Sequence, residues 1–131
     1  AGGAAGNPPP ADPLRIVSQD GFEIFIGRNN RQNDRLTLKM ARAEDLWFHI
    51  KHFSGSHVVI RTAGKSVPDA TVEEAAAYAA WYSKARQATK AEVDFTAIRN
   101  FRKPAGGKPG MVIYVNYKTA NVAPKEPRTN S

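Results

Sequence analysis

Cysteine is absent from the 131-residue sequence. The chain therefore has no disulfide framework, no thiolate metal site and no cysteine nucleophile, a composition that fits a reducing compartment. No segment approaches the roughly 18 apolar residues needed to cross a bilayer, and the first residues lack the charged and apolar parts of a secretory signal. These absences predict a soluble, cytoplasmic protein with no membrane partner.

Nucleotide-binding motifs are missing as well. The sequence contains no P-loop and no G-x-G-x-x-G motif, which argues against nucleotide hydrolysis and dinucleotide binding. Acidic residues are comparatively few, since 12 Asp and Glu stand against 19 Lys and Arg and give a net charge of +7. Such an excess attracts polyanions, nucleic acid first and anionic lipid second, and charge alone does not choose between them.

The length and the 41% hydrophobic content predict one domain with a modest core. Residues 1–13 are rich in Ala, Gly and Pro, which predicts a flexible tail or an interdomain linker. Two alternating runs at 14–18 and 22–26, joined by Asp20 and Gly21, predict a first hairpin. We place the folded domain at 14–124 and a C-terminal tail at 125–131.

A second predicted hairpin, formed by residues 45–51 and 56–61, is central to the sequence. Apolar side chains alternate with other residues in both runs, as in half-buried strands. Flat rings beside cations suit unpaired RNA, whose bases stack on such rings. The alternative is that Trp47 is a partly buried sheet residue. One face of this hairpin gathers Trp47, His49, Lys51, His57 and Arg61.

Residues 27–42 begin as a polar loop and continue into a predicted short helix. Because cations four residues apart repel each other on a helix, bound phosphates would explain their spacing here. A solvated helix face is the alternative. The cations of this segment are Arg28, Arg31, Arg35, Lys39 and Arg42.

The strongest helix signal covers residues 71–88. Thr71 and Glu74 have the spacing of a capping box. Ala75, Ala76 and Ala79 belong to a small-residue stripe that would pack closely on a sheet. We expect the aromatic residues at 78, 81 and 82 to pack at the sheet margin rather than bind a cofactor.

Further strands are predicted at 92–100 and 111–117, followed by a short strand remnant and a polar tail from 118 onward. Within 92–100 the alternation directs Asp94 and Thr96 outward. The glycine-rich loop between these strands either brings backbone amides near an anion or is only a mobile hairpin tip. This loop contains Arg102, Lys103 and Lys108.

Patterns for catalysis or metal binding are weak. His49 and His52 point to opposite faces of a strand, and no further ligand follows His57 at a familiar spacing, so a zinc site lacks support. Ser54 and Ser56 do not have the G-x-S-x-G context of a nucleophile. The alternative for His57 is structural: its ring would cap the turn by bonding a backbone group, which is the more common role of a turn histidine. The sequence predicts no enzyme activity, no metal and no cofactor.

Together these elements predict a single α+β domain. Its mostly antiparallel sheet would be packed by one long Ala-rich helix plus a short basic helix. The basic face of such a domain would bind a nucleic acid.

Five blocks of the sequence, in this order, closely resemble the RNA-binding domain of the NFACT family. They are GRNNRQNDRLT at 27–37, DLWFH at 45–49, GSHVVI at 55–60, EEAA at 73–76, and KP at 103–104 with KPG at 108–110. The resemblance covers roughly residues 14–124. Members of the family include bacterial proteins first labelled fibronectin-binding protein A and since understood as RqcH-like factors of ribosome-associated quality control.

The resemblance implies a module that holds such a factor on a stalled large ribosomal subunit carrying a peptidyl-tRNA. The full-length protein would recruit alanyl-tRNA and support C-terminal alanine tailing of the nascent chain. The implied partners are tRNA, large-subunit rRNA and the remaining NFACT domains, and no active site is implied. The candidate RNA-binding residues are Arg28, Asn29, Arg31, Gln32, Asn33, Arg35, Lys39, Trp47, His49, Lys51, Ser56, His57, Arg61, Arg102, Lys103 and Lys108.

The chain also departs from the family pattern. Ser54 stands where the family commonly has proline, and the N-terminal NFACT domain and coiled-coil arms are absent from this sequence. The chain is therefore expected to be an excised piece or a stand-alone domain. Two alternative functions are an adhesion module that binds fibronectin and an RNA-processing enzyme with His49 or His57 as acid or base.

Overall fold

A computed structural model describes residues 12–107 and 112–128. Within these ranges six strands form one antiparallel sheet, and two short strands form a separate hairpin. The predicted α+β fold is confirmed. The elements are β1 (Leu14–Val17), β2 (Glu23–Ile26), α1 (Asn30–Asp34) with a π-helical continuation (Arg35–Met40), β3 (Leu46–Ile50), β4 (Val58–Ile60), α2 (Asp69–Trp81), β5 (Ala91–Ala97), a 3-10 turn (Ile98–Asn100), β6 (Phe101–Arg102), β7 (Ile113–Tyr114) and β8 (Lys118–Val122). The six-stranded sheet has the spatial order β1-β2-β4-β3-β5-β8, and β6 pairs with β7.

Helix α2 covers one face of the sheet. Ala75, Ala76 and Ala79 on this helix are completely buried. Because alanine has no side chain beyond Cβ, the helix lies close to the apolar side of β3 and β4, where it meets Phe48 and Val58. The predicted small-residue stripe is confirmed.

The opposite face of the sheet carries a second hydrophobic core. Trp47 and Val59 from β3 and β4 pack there with Leu36 of the π-helical continuation. Phe101 and Tyr114 of the β6–β7 hairpin complete the cover. The central hairpin does form, with Trp47 opposite Val59, but the face that we predicted to be open to RNA lies largely beneath these two elements.

The boundaries of α2 differ from the prediction. The helix begins at Asp69 and ends at Trp81, so the capping box is wrong. Thr71 lies inside the first turn, and its hydroxyl donates to Asp20 Oδ2 at 2.9 Å. Glu74 accepts a hydrogen bond from the Tyr78 hydroxyl instead. No helix in the described ranges is long and apolar enough to span a membrane.

The C-terminal strands also differ from the prediction. The expected strong strand at 111–117 is reduced to the two residues of β7, whereas the expected remnant and tail from 118 contains β8, the edge strand paired with β5. Asp94 and Thr96 of β5 were predicted to point to solvent, yet both are buried under the β6–β7 side of the sheet. The reason is the second core, which covers that face.

Candidate nucleic-acid interface

The polar residues that follow β2 fix the start of the basic helical segment, which we define as residues 28–42. Asn29 is the N-cap of α1, and its Oδ1 accepts a hydrogen bond from the Gln32 N–H at 2.8 Å. Gln32 Oε1 accepts in turn from the Arg28 N–H at 2.9 Å. This arrangement is a close relative of the capping box. Asn29 and Gln32 therefore contribute to the candidate interface by fixing the backbone at the start of the segment. Gln32 itself is buried.

Asn33 attaches the basic helical segment to the sheet. Its Oδ1 accepts from the backbone N–H of His57 at 3.1 Å, beside a hydrogen bond of 2.9 Å from the Gly27 N–H to the His57 carbonyl. A Cβ on Gly27 would lie 2.2 Å from Asn33 Oδ1 and 2.9 Å from Asn33 Cα. Only glycine allows this close approach.

Replacing Gly27 by alanine is expected to lower the free energy of unfolding by about 1–3 kcal/mol, because the new methyl group must displace the Asn33 backbone. Urea denaturation measures the change. Gly21→Asn is a comparison variant that should cost less, because its only strain is the positive φ of 86° and no atom lies within 4 Å of the new Cβ. A Gly27→Ala variant as stable as the parent would contradict the close packing described here.

The outer face of the basic helical segment is cationic. Leu36 and Thr37 turn inward, so the helical period directs Arg31, Arg35 and Lys39 outward, where all three are exposed. The segment carries five cations and one carboxylate. The difference between them supplies more than half of the chain's net charge of +7. It forms a basic surface mounted on the second core.

Few carboxylates neutralise this surface. Asp34 pairs with Lys103 at 2.9 Å, and Asp12 pairs with Arg35 at 3.0 Å. Both pairs are exposed and contribute little energy, so a phosphate can compete for these cations. Among the described residues, the side chains of Arg28, Arg31 and Lys39 have no ionic partner.

Trp47 is completely buried. Its ring stacks on His49 at a centroid distance of 5.7 Å, and Phe101 and Tyr114 lie at 4.9 and 4.8 Å. Of the two interpretations of Trp47 left open by the sequence, the buried sheet residue is correct. The indole presents no free face to a nucleobase in this structure.

His57 is also buried, with only 7% of its surface exposed. Its ring lies edge-on to Trp47 at 5.4 Å and to His49 at 5.5 Å. Burial, and secondarily the neighbouring His49, lowers the pKa of His57 to about 3, so the ring is neutral at pH 7. Burial also lowers the pKa of His49. The predicted bond from the His57 ring to a backbone group of the turn is wrong. It is the backbone of His57 that forms hydrogen bonds here, with Asn33 Oδ1 and with the Gly27 N–H.

Lys51 and Arg61, both predicted to bind RNA, are held by buried carboxylates. Lys51 Nζ lies 2.9 Å from Asp94, and Arg61 Nε lies 3.2 Å from Asp45. Because releasing either cation leaves a buried carboxylate uncompensated, these residues stabilise the fold. Ser56 is buried as well and its N–H donates to the Tyr82 carbonyl at 3.0 Å.

The loop that follows β6 adds to the basic surface. Arg102 and Lys103 are exposed, and Lys103 reaches Asp34 on the basic helical segment. The structure therefore brings these two predicted residues beside the predicted cations of that segment. Lys108 lies outside the described residues.

Three residues near this surface were not predicted as site residues. Lys84 and Arg86 lie beyond the end of α2, beside Arg28, in a cleft of about 430 Å³, and exposed Phe53 lies in an adjoining cleft of about 470 Å³. An isolated β-bridge between Gly55 and Ser83 brings these parts together. The sequence does not single out Lys84 and Arg86, because both fall inside the helix predicted over residues 71–88, whereas α2 ends at Trp81. In the described part of the chain, no three His, Asp or Glu side chains are grouped to hold a metal ion.

Comparisons with known proteins agree with this geometry. The chain is 47% identical over 108 residues to the Rqc2 homolog RqcH of Bacillus subtilis, with 82% of this chain and 18% of the relative covered. It is 45% identical over 120 residues to the Rqc2 homolog RqcH of Streptococcus suis, with 91% and 22% covered. The chain thus spans about a fifth of the length of these curated relatives.

A solved structure has the same fold. It is the C-terminal part of the fibronectin/fibrinogen-binding protein from Streptococcus suis, with a TM-score of 0.83 and 43% identity over 93% of this chain and 50% of that one. The model of the NFACT protein RNA binding domain matches residues 13–116. With most of its length matched by this model and its fold shared with this relative, the chain belongs to the NFACT RNA-binding domain family.

Proposed function

We propose that this chain is the RNA-contacting module of a ribosome-associated quality control factor. The observation that carries the proposal is the basic helical segment, with five cations and one carboxylate on an exposed surface. Phosphates would neutralise the repulsion among these cations, and release of counterions would drive binding. The similarity to proteins named Rqc2 homolog RqcH supports the assignment to quality control.

The proposed partners are tRNA and the rRNA of a stalled large ribosomal subunit that carries peptidyl-tRNA. The module would act in the cytoplasm by binding, without an active site of its own. Alanine tailing would require the remaining NFACT domains, because this chain spans only about a fifth of its RqcH relatives.

The double variant Arg31→Glu/Arg35→Glu is expected to bind tRNA about tenfold more weakly than the parent at moderate salt, because two phosphate contacts become repulsive. Fluorescence anisotropy with labelled tRNA and a length-matched duplex DNA, at two salt concentrations, measures the effect. Both cations are exposed, so the fold should be retained, which circular dichroism checks.

The matched control is Lys65→Glu/Lys90→Glu, which makes the same change in net charge at two exposed lysines outside the basic helical segment. It should retain most of the affinity. Equal losses in the two double variants would show that only the overall charge matters and would overturn the assignment of the surface.

A second candidate function is binding to an extracellular-matrix protein, which the name of the solved relative suggests. The dependence on salt separates the two functions. Binding of fibronectin that is insensitive to salt, without binding of RNA, would favour adhesion.

A further inference from the structure

Two clefts meet beside the basic surface, and neither contains the completely buried Trp47. The first, of about 430 Å³, is lined by Arg28, Lys84 and Arg86, and the second, of about 470 Å³, by Phe53 and His57 among others. The clefts share the wall formed by Asn30, Asn33, Ser54 and Gly55. The two clefts are therefore adjacent, and together we name them the groove, with two chemically different halves.

The first half is suited to a phosphate. It contains three cations and no carboxylate among its lining residues, and the others are mainly amides and hydroxyls. Arg86 is held in place, because its Nε donates to the Trp81 carbonyl at 2.8 Å and its guanidinium lies 4.8 Å from the Trp81 ring centre. A guanidinium fixed in this way retains donors for an anion at little entropic cost.

The backbone holds this half open between two distant parts of the chain. Gly55 forms a β-bridge with Ser83, and a Cβ on Gly55 would lie 2.9 Å from Ser83 Cβ. The turn before β4 is thereby joined to the segment after α2, which brings Lys84 and Arg86 opposite Arg28.

The second half is suited to a flat heteroaromatic ring. Phe53 is 51% exposed although it is a large apolar side chain, and it lines this half with Tyr114, His49 and His57. His57 Nδ1 has no hydrogen-bond partner within the described residues. Because Nδ1 is itself buried, the neutral ring of His57 contributes a wall to this half rather than a hydrogen bond to a base.

We propose that the groove binds one unpaired RNA nucleotide, with its phosphate among Arg28, Lys84 and Arg86 and its base against Phe53 and the histidines. The inference rests on the proposed function, because it names the kind of RNA that the module would recognise. A paired base cannot enter, since its edge and faces are occupied in the duplex. The groove therefore predicts a preference for single-stranded RNA.

The test measures fluorescence anisotropy of a labelled 12-nucleotide single-stranded RNA and of the same RNA paired with its complement, across a range of salt concentrations. The single strand should bind more tightly than the duplex. Lys84→Glu should weaken binding of the single strand about fivefold or more and lower the slope of log affinity against log salt by about 1. Lys65→Glu, the same change at an exposed lysine beyond the other end of β4, should do neither.

Phe53→Ala tests the half that would hold the base. It should weaken binding of the single strand about fivefold or more while leaving the salt slope unchanged, because stacking involves no counterion. Because the Phe53 side chain is exposed, we expect the variant to fold like the parent. If RNA binding is lost in Arg31→Glu/Arg35→Glu but unchanged in Lys84→Glu and Phe53→Ala, the groove does not bind a nucleotide, and the proposed function still stands. If the parent binds no RNA, both fail.

Discussion

Replacing Trp47 by alanine is expected to lower the free energy of unfolding by about 3–5 kcal/mol. The side chain is completely buried and is the largest in the second core. Its removal would leave a cavity between the sheet and the β6–β7 hairpin, because Phe101 and Tyr114 pack directly on the ring. Urea denaturation followed by far-ultraviolet circular dichroism measures the loss.

Two controls separate this cavity from a general effect of losing tryptophan. Trp47→Phe should cost much less, because Trp47 Nε1 has no hydrogen-bond partner in the described part of the chain and phenylalanine retains most of the apolar contacts. Trp81→Ala removes a half-buried ring at the end of α2 and should cost about 1–2 kcal/mol. If Trp47→Ala were as stable as Trp81→Ala, the second core would not exist in solution as described.

The same residue shows how far the sequence predicts the fold. The alternation in β3 correctly separates Phe48 and Ile50, which face α2, from Trp47, which faces the other side. Alternation does not tell what lies over a face. The cover comes from the basic helical segment and from a hairpin of two-residue strands, and so short a pairing has no periodic pattern to detect.

Long-range contacts also explain the other errors. Thr71 has the spacing of an N-cap, but its hydroxyl bonds Asp20 from a distant turn. β8 contains only Ala120 and Val122 as inward residues, too few to distinguish an edge strand from a tail. Tertiary packing decides both cases, because local preferences are weak against it.

The sequence predicts which residues carry the positive charges of the candidate site, but it does not predict how the fold arranges them. Arg31, Arg35 and Lys39 follow from helical spacing and are exposed as that spacing requires. Lys51 and Arg61 had the same charge and a suitable face, but they are paired with buried carboxylates. A sequence identifies cations, whereas only the fold shows which of them lack a buried partner.

Replacing Asp94 by alanine is expected to lower the free energy of unfolding by about 3 kcal/mol at pH 7. This buried carboxylate accepts from the Tyr114 hydroxyl at 2.6 Å and from the Thr119 hydroxyl at 2.7 Å, and pairs with Lys51 at 2.9 Å. It therefore ties the β6–β7 hairpin and β8 to β3 and β5. Without it Lys51 loses its partner and the hairpin that covers Trp47 loses its anchor.

The destabilisation caused by Asp94→Ala should depend on pH, and the direction follows from the pKa of Asp94. Burial alone would raise the pKa of Asp94, but the hydrogen bonds from Tyr114, Thr119 and Lys51 together outweigh it and lower that pKa. A lowered pKa in the folded state stabilises the protein above the unfolded pKa of about 3.9, and this stability is lost as the pH falls through the folded value. The difference in the free energy of unfolding between the parent and Asp94→Ala should thus be largest near neutral pH and should decrease below about pH 4.

Urea denaturation from pH 7 to pH 3 tests this dependence. Glu92→Ala is the matched control, because Glu92 is an exposed carboxylate on the same strand and its removal should change stability little at any pH. A difference for Asp94→Ala that stayed constant down to pH 3 would mean that this carboxylate has the same pKa in the folded and the unfolded protein. The bonds from Tyr114, Thr119 and Lys51 would then not favour the ionised carboxylate over the protonated one, and the cover of the second core would not loosen in acid.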